Sequence, residues 1–490
     1  MKRILIPIFM LVALIGPEVL YSQTKPDFKT VDSLTYRLYL EKKWDSLVII
    51  GKMALRNDFD YYYLRARLGI AYFEKKEYIT AISHLTKARK FNSGDPLLTE
   101  YLYYALIYSN RKEDALILRP FLTEEAKKKT SLSNGILQES HLEFGYTFSS
   151  DQSPDNLNNL AGNDSLYGEQ DLYGNNIYGN LGLKLRISRR IGLQFSYNYL
   201  NFSKTKYFQY GRYEDHLEGI ADSSWGKNYL YSFPFVTYDT SFRYHVYQND
   251  VHIGITIGLP GGFKVMPAFH LINVHHTLIN ANVSMNTVQD TDYYTFLNDS
   301  TYFFPFTRVA YTFNQTDTSF YNYLVGLDIT KDWGIFNIGL FGSWSNLNHQ
   351  KQKQVGFSLT YYPLGNLDFY GITTITGFLQ GKDKRLLFGQ VLGAKITPWL
   401  WMEGNFYYGD YTNANIFNGN IVYNNTDKID YNAGARMIFL TKKHIQFSLI
   451  YQYFKKESQQ FIYDAPTDRL IIQNNQYHTH TIIGGITWKL

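Results

Sequence analysis

The chain contains no cysteine among its 490 residues. Disulfides, thiol catalysis, cysteine-ligated metals and acylation of an amino-terminal cysteine are therefore excluded. Long apolar runs are also missing after the amino terminus, since none approaches the roughly 18–20 residues that a membrane-spanning helix requires. Aromatic residues are abundant instead, with 44 Tyr and 34 Phe in a chain of negative mean hydropathy. Transmembrane β-barrels have this composition because lipid-facing and lumen-facing residues alternate, and a large soluble β-protein is the alternative.

The amino terminus has the pattern of a secretory signal peptide. Lys2-Arg3 precedes an apolar stretch from Ile4 to Ile15, and Gly16-Pro17 then breaks the helix. About 12 apolar residues are too few for a retained membrane anchor. We therefore expect residues 1–22 to be removed on export, and we expect no nucleic-acid partner.

Residues 23–122 repeat at an interval of 34 residues. Three sets of apolar positions share this interval: Leu47, Ala81 and Ala115; Leu38, Tyr72 and Leu106; Ala54 and Ala88. A 34-residue period with small residues at helix contacts is typical of tetratricopeptide helical hairpins. The central unit fits best because Gly69 stands where Thr35 and Tyr103 occupy the flanking units. We predict three helical hairpins, followed by a linker at residues 123–137.

This predicted helical domain is basic. Residues 24–135 carry 20 Lys and Arg against 14 Asp and Glu. Such a charge balance suits recruitment of an anionic polymer or of a protein partner. A mixed, solvated helical surface is the alternative.

From residue 138 to the carboxyl terminus the apolar pattern has a period of two, which is typical of strands. The pattern recurs in 14 segments, near residues 139–148, 180–186, 193–199, 251–257, 263–275, 320–329, 335–346, 353–361, 367–378, 385–396, 400–410, 428–439, 445–454 and 476–490. We predict an α + β two-domain chain whose second domain, 138–490, is an antiparallel transmembrane β-barrel of about 14 strands. The range is 12–16, because Tyr229 to Tyr238 and Tyr302 to Phe313 could either extend hairpins or form further strands.

The connections alternate between short and long. Short turns fall near residues 188–190, 260–262, 330–334, 363–366, 397–399 and 441–444, and the intervening links are mostly long, near 150–175, 203–239, 276–319, 411–427 and 455–475. Short periplasmic turns with long outer loops are the arrangement of outer-membrane barrels. Both barrel ends then lie on the periplasmic side. Ile482, Gly484, Ile486, Trp488 and Leu490 share one strand face, which resembles the closing strand that the barrel-assembly machinery reads.

Polar and aromatic residues at inward positions are the candidate site. The charged ones are Glu143, Lys184, Arg186, His252, Asp328, Lys395, Glu403 and Arg436, and the aromatic ones are Tyr370, Trp401 and Tyr407. Inward charges of both signs imply water inside the barrel, because an unpaired charge in a dry interior is very costly. The aromatic rings could stack on sugars in a pore that passes carbohydrate. Ordinary polar packing of the lumen is the alternative at each position.

Metal and catalytic motifs are weak. His478 and His480 share a strand face, but this is the face of lipid-facing Ile482. His275-His276 and the loop from Asp151 to Asp164 offer only a weak prospect of metal binding. The sequence lacks the nucleophile motif G-x-S-x-G, although Ser, His and Asp occur near the outer rim. We predict no cofactor, metal or catalytic residue, and a barrel-embedded hydrolase stays an alternative.

A signal peptide, degenerate tetratricopeptide repeats and a carboxyl-terminal barrel resemble, in this order, the exopolysaccharide export porins and the YaiO-type barrels. The resemblance implies an outer-membrane protein with periplasmic repeats that passes or exports polysaccharide or a similar solute. Its partners would be outer-membrane lipid, the barrel-assembly machinery and a periplasmic protein or polymer at the repeats. A non-conducting scaffold of an envelope complex and a hydrophobic-substrate channel are the alternatives.

Overall fold

The computed structural model describes residues 27–130, 135–151, 167–213, 216–223, 226–232, 235–288, 295–297, 300–302, 306–441, 444–464 and 469–490. An amino-terminal helical domain is followed by a closed antiparallel β-barrel of 14 strands. The predicted two-domain α + β architecture is confirmed. The predicted signal peptide lies outside the described residues.

The described part of the helical domain contains seven α-helices. They are α1 (Phe28–Leu40), α2 (Trp44–Arg56), α3 (Tyr62–Glu74), α4 (Tyr78–Phe91), α5 (Pro96–Tyr108), α6 (Lys112–Leu118) and α7 (Glu124–Lys129), with a short 3-10 helix at Arg119–Phe121 before α7. Helices α1, α3 and α5 begin 34 residues apart, and so do α2, α4 and α6. The sequence period is therefore the period of three successive helical hairpins.

The repeated apolar residues lie where helices meet. Leu47, Ala81 and Ala115 are fully buried in the core of the helical domain. A Cβ atom added at Gly69 would lie 2.5 Å from Leu85 Cδ2, so the backbone of α3 approaches α4 too closely for a side chain at this position. Tyr103 occupies the equivalent position of the next hairpin and is 1% exposed. The third hairpin therefore buries a ring where the second one requires glycine.

His84 in α4 makes the stability of the helical domain depend on pH. Its ring stacks on Tyr72 at 5.2 Å, and its Nδ1 lies 3.2 Å from Nη1 of Arg65. Burial and the nearby Arg65 charge lower the pKa of His84 from 6.5 to about 4. The unfolded chain therefore binds the extra proton between pH 6.5 and 4, so stability falls as pH decreases through this window.

We expect the helical domain to lose roughly 2 kcal/mol of stability between pH 7 and pH 5 through His84. The melting temperature followed by helical circular dichroism at 222 nm, with full-length protein in detergent, measures this loss. The His84→Gln variant should remove most of the dependence in this window. An unchanged dependence in the variant would show that other groups cause it.

The segment predicted as a linker is partly structured. Helix α7 occupies Glu124–Lys129, because Thr123 caps it by accepting a hydrogen bond from Ala126 N at 3.2 Å. The acidic residues in its first turn and the lysines in its last turn interact favourably with the helix dipole. The barrel then begins at Leu137, one residue inside the predicted linker.

The 14 barrel strands follow one another in chain order around the barrel. They are β1 (Leu137–Ser149), β2 (Tyr167–Arg186), β3 (Ile191–Tyr213), β4 (Phe235–Leu259), β5 (Phe263–Val288), β6 (Phe306–Trp333), β7 (Phe336–Ser345), β8 (Gln352–Tyr361), β9 (Phe369–Gln380), β10 (Asp383–Thr397), β11 (Leu400–Tyr408), β12 (Lys428–Leu440), β13 (Ile445–Asp464) and β14 (Arg469–Lys489). Strand β1 pairs with β14 from Glu139↔Lys489 to Ser149↔Thr479, which closes the barrel. The predicted number of about 14 is confirmed.

Four consecutive strands, β3 to β6, extend far beyond the length needed to cross a membrane. They contain 23, 25, 26 and 28 residues, whereas a tilted membrane strand needs about 9–11. Above the barrel, Phe208 of β3 contacts Phe313 of β6 at 4.8 Å and Tyr210 contacts Tyr311 at 4.4 Å. The Tyr- and Phe-rich links therefore extend hairpins and add no further strands to the barrel.

The outer surface of the barrel is apolar. Along β1, the outward side chains of Leu142, Phe144, Tyr146 and Phe148 are exposed and alternate with inward residues. Trp333, Trp399 and Trp488 are 68%, 54% and 54% exposed near the short-turn rim, and Tyr321, Tyr408 and Tyr451 are exposed toward the other end. An apolar band between aromatic girdles is the surface that a barrel presents to lipid. None of the helices in the described ranges is both long enough and apolar enough to span a bilayer.

Candidate functional site

The helical domain docks on the short-turn rim of the barrel. Arg111 Nε lies 3.1 Å from Asp332 Oδ2, and Lys264 Nζ lies 3.1 Å from Glu113 Oε2. Two hydrogen bonds add to these ion pairs: Ile79 N donates to Gly365 O at 2.8 Å, and the side-chain amide of Asn366 donates to Lys76 O at 3.1 Å. The domain therefore contacts the turns after β4, β6 and β8 and covers part of this mouth of the barrel.

Residues 409–427, between β11 and β12, form what we call the lumen loop. It contains a short hairpin, Asn415–Ile416 paired with Ile421–Val422, and it folds into the barrel. At its tip, Phe417, Asn418 and Gly419 all have positive φ angles of 52°, 54° and 77°. A Cβ atom on Gly419 would lie 2.4 Å from Leu324 Cδ2 of β6, so this position requires glycine.

The lumen loop is held by hydrogen bonds to many strands. Arg385 of β10 pairs with Asp410 Oδ2 at 2.8 Å where the loop begins, and Tyr477 of β14 donates to Asp427 Oδ2 at 2.5 Å where it ends. Between these anchors the loop contacts the opposite wall through five side-chain hydrogen bonds: Asn415 to Ser343 Oγ at 2.9 Å, Asn418 to Met266 O at 2.6 Å, His270 to Gly419 O at 2.7 Å, Gln194 to Asn420 Oδ1 at 3.4 Å and Asn424 to Gln248 Oε1 at 3.3 Å. The loop therefore crosses the lumen.

Two buried histidines secure the tip of the lumen loop. His270 is 1% exposed and donates from Nδ1 to the carbonyl of Gly419, while its Nε2 lies 3.8 Å from Asp250 Oδ2. His252 is 3% exposed and meets His270 edge to face at 5.6 Å. Asp250 also accepts a hydrogen bond from Gln248 at 3.1 Å. The hydrogen bond from His270 of β5 therefore holds the loop tip, and His252 of β4 packs beside His270.

A cavity of about 520 Å³ lies between the lumen loop and the wall formed by β1–β4 and β12–β14. Its walls are rich in amide, hydroxyl and aromatic side chains, including Asn180, Gln194, Asn198, Gln248, Asn420, Asn424, Gln452, Thr147, Thr479, Tyr173, Tyr178, Phe202, Tyr423 and Phe454. A second cavity of about 200 Å³ lies beside β5, and the two share Tyr173, Phe202, Gln248, Asn424 and Asn425. The volume of the larger cavity falls within the roughly 300–1,000 Å³ of sites that hold small molecules.

Most charges in the larger cavity are paired. Lys184 Nζ lies 2.6 Å from Glu139 Oε1, and Arg436 Nη2 lies 4.0 Å from Glu143 Oε1. Lys456 is placed over three aromatic rings, with its Nζ 5.0 Å from the centroid of Tyr173. The site therefore combines neutral hydrogen-bonding groups with two ion pairs and the single ammonium group of Lys456.

The predicted inward residues all lie on lumen-facing strand positions, but the structure distributes them among different surroundings. Glu143, Lys184 and Arg436 line the larger cavity. Tyr370 donates a hydrogen bond to Glu403, which lies opposite Arg436 in the β11–β12 pairing, and Lys395 pairs with Asp368 at 3.5 Å. Arg186 donates a hydrogen bond to Gln138 at the rim. Two buried atoms, Asp328 Oδ1 and Trp401 Nε1, have no hydrogen-bond partner among the described residues.

The expectation that Tyr407 offers a stacking surface is not supported by its surroundings. Tyr407 is 6% exposed and packs with Phe378, Leu387 and Tyr411. Tyr411 belongs to the lumen loop, so the inward fold of this loop covers the ring. The alternative of ordinary packing describes this residue.

The sequence interpretation missed the most important part of the site. It placed residues 411–427 among the long outer links, whereas the structure folds them into the lumen. The richness of this segment in asparagine, at 413, 415, 418, 420, 424 and 425, was the available signal. Amide side chains can satisfy the main-chain groups of a loop that is removed from bulk water.

The weak metal motifs have other partners. His478 and His480 lie 2.7 Å and 2.8 Å from the hydroxyls of Tyr453 and Tyr451 on the outer face of the barrel. His275 stacks on Tyr247 at 6.3 Å. Of the acidic loop from Asp151 to Asp164, all but Asp151 lies outside the described residues.

No protein-family model matches the sequence, and no curated protein matches it either. Solved structures similar to it include the Pseudomonas putida toluene transporter TodX, with a TM-score of 0.37 and 6% identity over 73% of this chain and 90% of that one. A Pseudomonas aeruginosa FadL homologue has a TM-score of 0.38 and 8% identity over 72% and 90% of the two chains. A bacterial polysaccharide outer membrane secretin has a TM-score of 0.31 and 6% identity over 72% and 98%. These likenesses are limited to the barrel architecture.

Proposed function

We propose that this protein is an outer-membrane channel that binds and passes a hydrophilic solute with the chemistry of an oligosaccharide. The amide- and aromatic-lined cavity of about 520 Å³ beside the lumen loop carries this proposal. In the conformation described, the lumen loop crosses the pore and the helical domain covers part of the short-turn mouth. Passage of a longer polysaccharide would require both to move.

The lining chemistry favours a neutral, hydroxyl-rich solute. Amide side chains both donate and accept hydrogen bonds, as sugar hydroxyls require, and the rings of Tyr178 and Tyr423 offer apolar faces for sugar C–H groups. The charges of Lys184 and Arg436 are already balanced by Glu139 and Glu143. Three buried amide atoms of the cavity, Asn180 Oδ1, Asn424 Oδ1 and Asn425 Nδ2, have no hydrogen-bond partner among the described residues. An apolar solute would leave them unpaired, at a cost of roughly 1–3 kcal/mol each.

The barrel surface supports placement in the outer membrane. The apolar band and its girdles suit lipid contact, and the helical domain lies at the short-turn rim, which is periplasmic in such barrels. In this placement the three hairpins face the periplasm. There they could present a partner or a nascent solute to the pore.

A non-conducting scaffold is the second candidate. Docking of the helical domain through Arg111–Asp332 and Glu113–Lys264, together with the crossing loop, favours it because both features obstruct the pore. In that case the helical hairpins would be the working surface. Solute binding and solute passage separate the two candidates.

Titration calorimetry with a neutral trisaccharide, such as cellotriose or chitotriose, tests the proposed site. Tyr423 belongs to the lumen loop and is placed by a hydrogen bond from Asn432 Nδ2 at 3.1 Å. We expect Tyr423→Ala to weaken trisaccharide binding about fivefold, because loss of one stacking surface costs about 1 kcal/mol.

Tyr321→Ala is the matched control, because Tyr321 is 65% exposed on the outer face of the barrel. It should bind the trisaccharide as the unaltered protein does. Proteoliposomes containing the unaltered protein should also swell in the trisaccharide faster than empty liposomes. Absence of both binding and swelling with either sugar would favour the scaffold.

A further inference from the structure

Four lysines lie together on the outside of the barrel at the long-loop ends of β8 to β10. Lys353 and Lys384 lie opposite Leu379 in the two strand pairings, so the three residues form one row across β8, β9 and β10. Lys351 precedes β8, and Lys382 lies in the turn between β9 and β10. All four lysines are exposed. We call them the outer lysine patch.

The outer lysine patch borders the apolar band directly. Two residues below Lys353 on the same face, Val355 is 70% exposed, and two residues beyond Lys384, Leu386 is 71% exposed. Along β8, Lys353 lies 8 residues from Tyr361 near the short-turn rim. Along β10, Lys384 lies 12 residues from Ile396 near the same rim. With about 3.4 Å per residue and a strand tilt of 35–45°, this places the ammonium groups roughly 20–30 Å above that rim. That height is the outer boundary of a hydrocarbon layer about 25 Å thick.

The patch brings four positive charges close together. Among the residues that the structure describes, none of the four lysines forms an ion pair. The neighbouring carboxylates, Asp383 and Asp410, both pair with Arg385 at 2.8 Å. Four flexible ammonium groups thus lie at the edge of the apolar band with no anionic partner among the described residues.

We propose that the outer lysine patch binds the phosphate groups of a phosphorylated glycolipid in the outer leaflet, of the lipid A type. Such a lipid would place its acyl chains along Val355, Leu379 and Leu386 and its phosphates among the lysines. Each lysine near an anionic lipid surface contributes about fivefold to binding. The inference rests on the proposed membrane placement and is independent of solute passage.

Native mass spectrometry of the full-length protein in detergent, with bisphosphorylated lipid A as the probe, tests this inference. The variant K351Q/K353Q/K382Q/K384Q should bind the lipid at least about tenfold more weakly than the unaltered protein. The control K29Q/K42Q/K87Q/K90Q removes four exposed lysines from the helical domain and should bind as the unaltered protein does. Heat-modifiable migration in gel electrophoresis establishes that each variant contains a closed barrel.

Two further arms make the test specific. Replacement of the same four lysines by arginine should retain binding, and lipid A without phosphates should bind no better to the unaltered protein than to the glutamine variant. Equal binding of bisphosphorylated lipid A to the glutamine variant and the unaltered protein would overturn the inference. So would equal affinity for lipid A with and without phosphates. Loss of trisaccharide binding or passage would affect only the channel proposal.

Discussion

Shortening the lumen loop should raise the single-channel conductance of the barrel in planar bilayers at least about tenfold, because a barrel of this strand number encloses more space than wall side chains fill. Residues 413–426 would be replaced by Gly-Ser-Gly. The two ends of the excised segment are close, since Thr412 Oγ1 donates to Asp427 O at 3.1 Å. The shortened link therefore closes without moving β11 or β12.

Two partial variants show whether the wall contacts hold the lumen loop in place. His270→Ala and Asn418→Ala each remove one hydrogen bond at the tip, to Gly419 O and to Met266 O. They should produce brief openings more often than the unaltered protein. Thr426→Ala, on an exposed part of the loop, should not. A shortened loop that leaves conductance unchanged would mean that the helical domain alone closes the pore.

Reversing one charge at the docking surface should loosen the helical domain from the barrel. Glu113 and Lys264 are half-buried, with side chains 27% and 22% exposed. Burial raises the pKa of Glu113, but the charge of Lys264 and the hydrogen bonds from Lys264 and the main chain together lower it more, so the pKa lies below the usual 4.5. Glu113→Lys or Lys264→Glu leaves two like charges in contact, at an expected cost of about 1–3 kcal/mol of docking free energy.

The exchange of both charges is the decisive variant. Glu113→Lys with Lys264→Glu should recover most of the docking that each single change loses. The chain has no native cysteine, so spin labels on Ser83→Cys and Arg189→Cys report the domain-to-rim distance without background. Each single variant should broaden the distance distribution, and the double variant should narrow it again.

Glu124→Lys is the matched control for this experiment. It is the same change in the same domain, but Glu124 pairs within α7 with Lys127 at 2.7 Å. It should leave the distance distribution unchanged. Broad distributions in the double variant would mean that docking does not depend on this ion pair.

The helical hairpins were predictable because their contacts are local. The 34-residue spacing of Leu47, Ala81 and Ala115 places each of these apolar residues at a helix contact within its own hairpin or the next one. Helix starts at Phe28, Tyr62 and Pro96 reproduce this interval. Recognition of α7 required the capping geometry of Thr123.

The strands were predictable because side chains in a strand alternate between two faces. This rule gave the 14 strands, the lumen-facing phase of residues such as Glu143 and Arg436, and the lipid-facing phase of Ile482 to Leu490. It could not give the length of β3 to β6, because their parts above the membrane show the same alternation of side chains as the membrane-spanning parts. The contact between Phe208 and Phe313, about a hundred residues apart in sequence, shows that these strands extend above the barrel.

Alternation of apolar and polar residues along the chain by itself determined the closed barrel and its lipid-facing surface, because each strand must turn apolar residues outward. Only the tertiary structure decided the contents of the lumen. The asparagines of residues 409–427 find their partners on strands far apart in sequence, from Gln194 to Gln354, and the helical domain finds Asp332 and Lys264 across the rim. Such contacts depend on distances across the closed barrel, and the local alternation of residues along the sequence does not specify these distances.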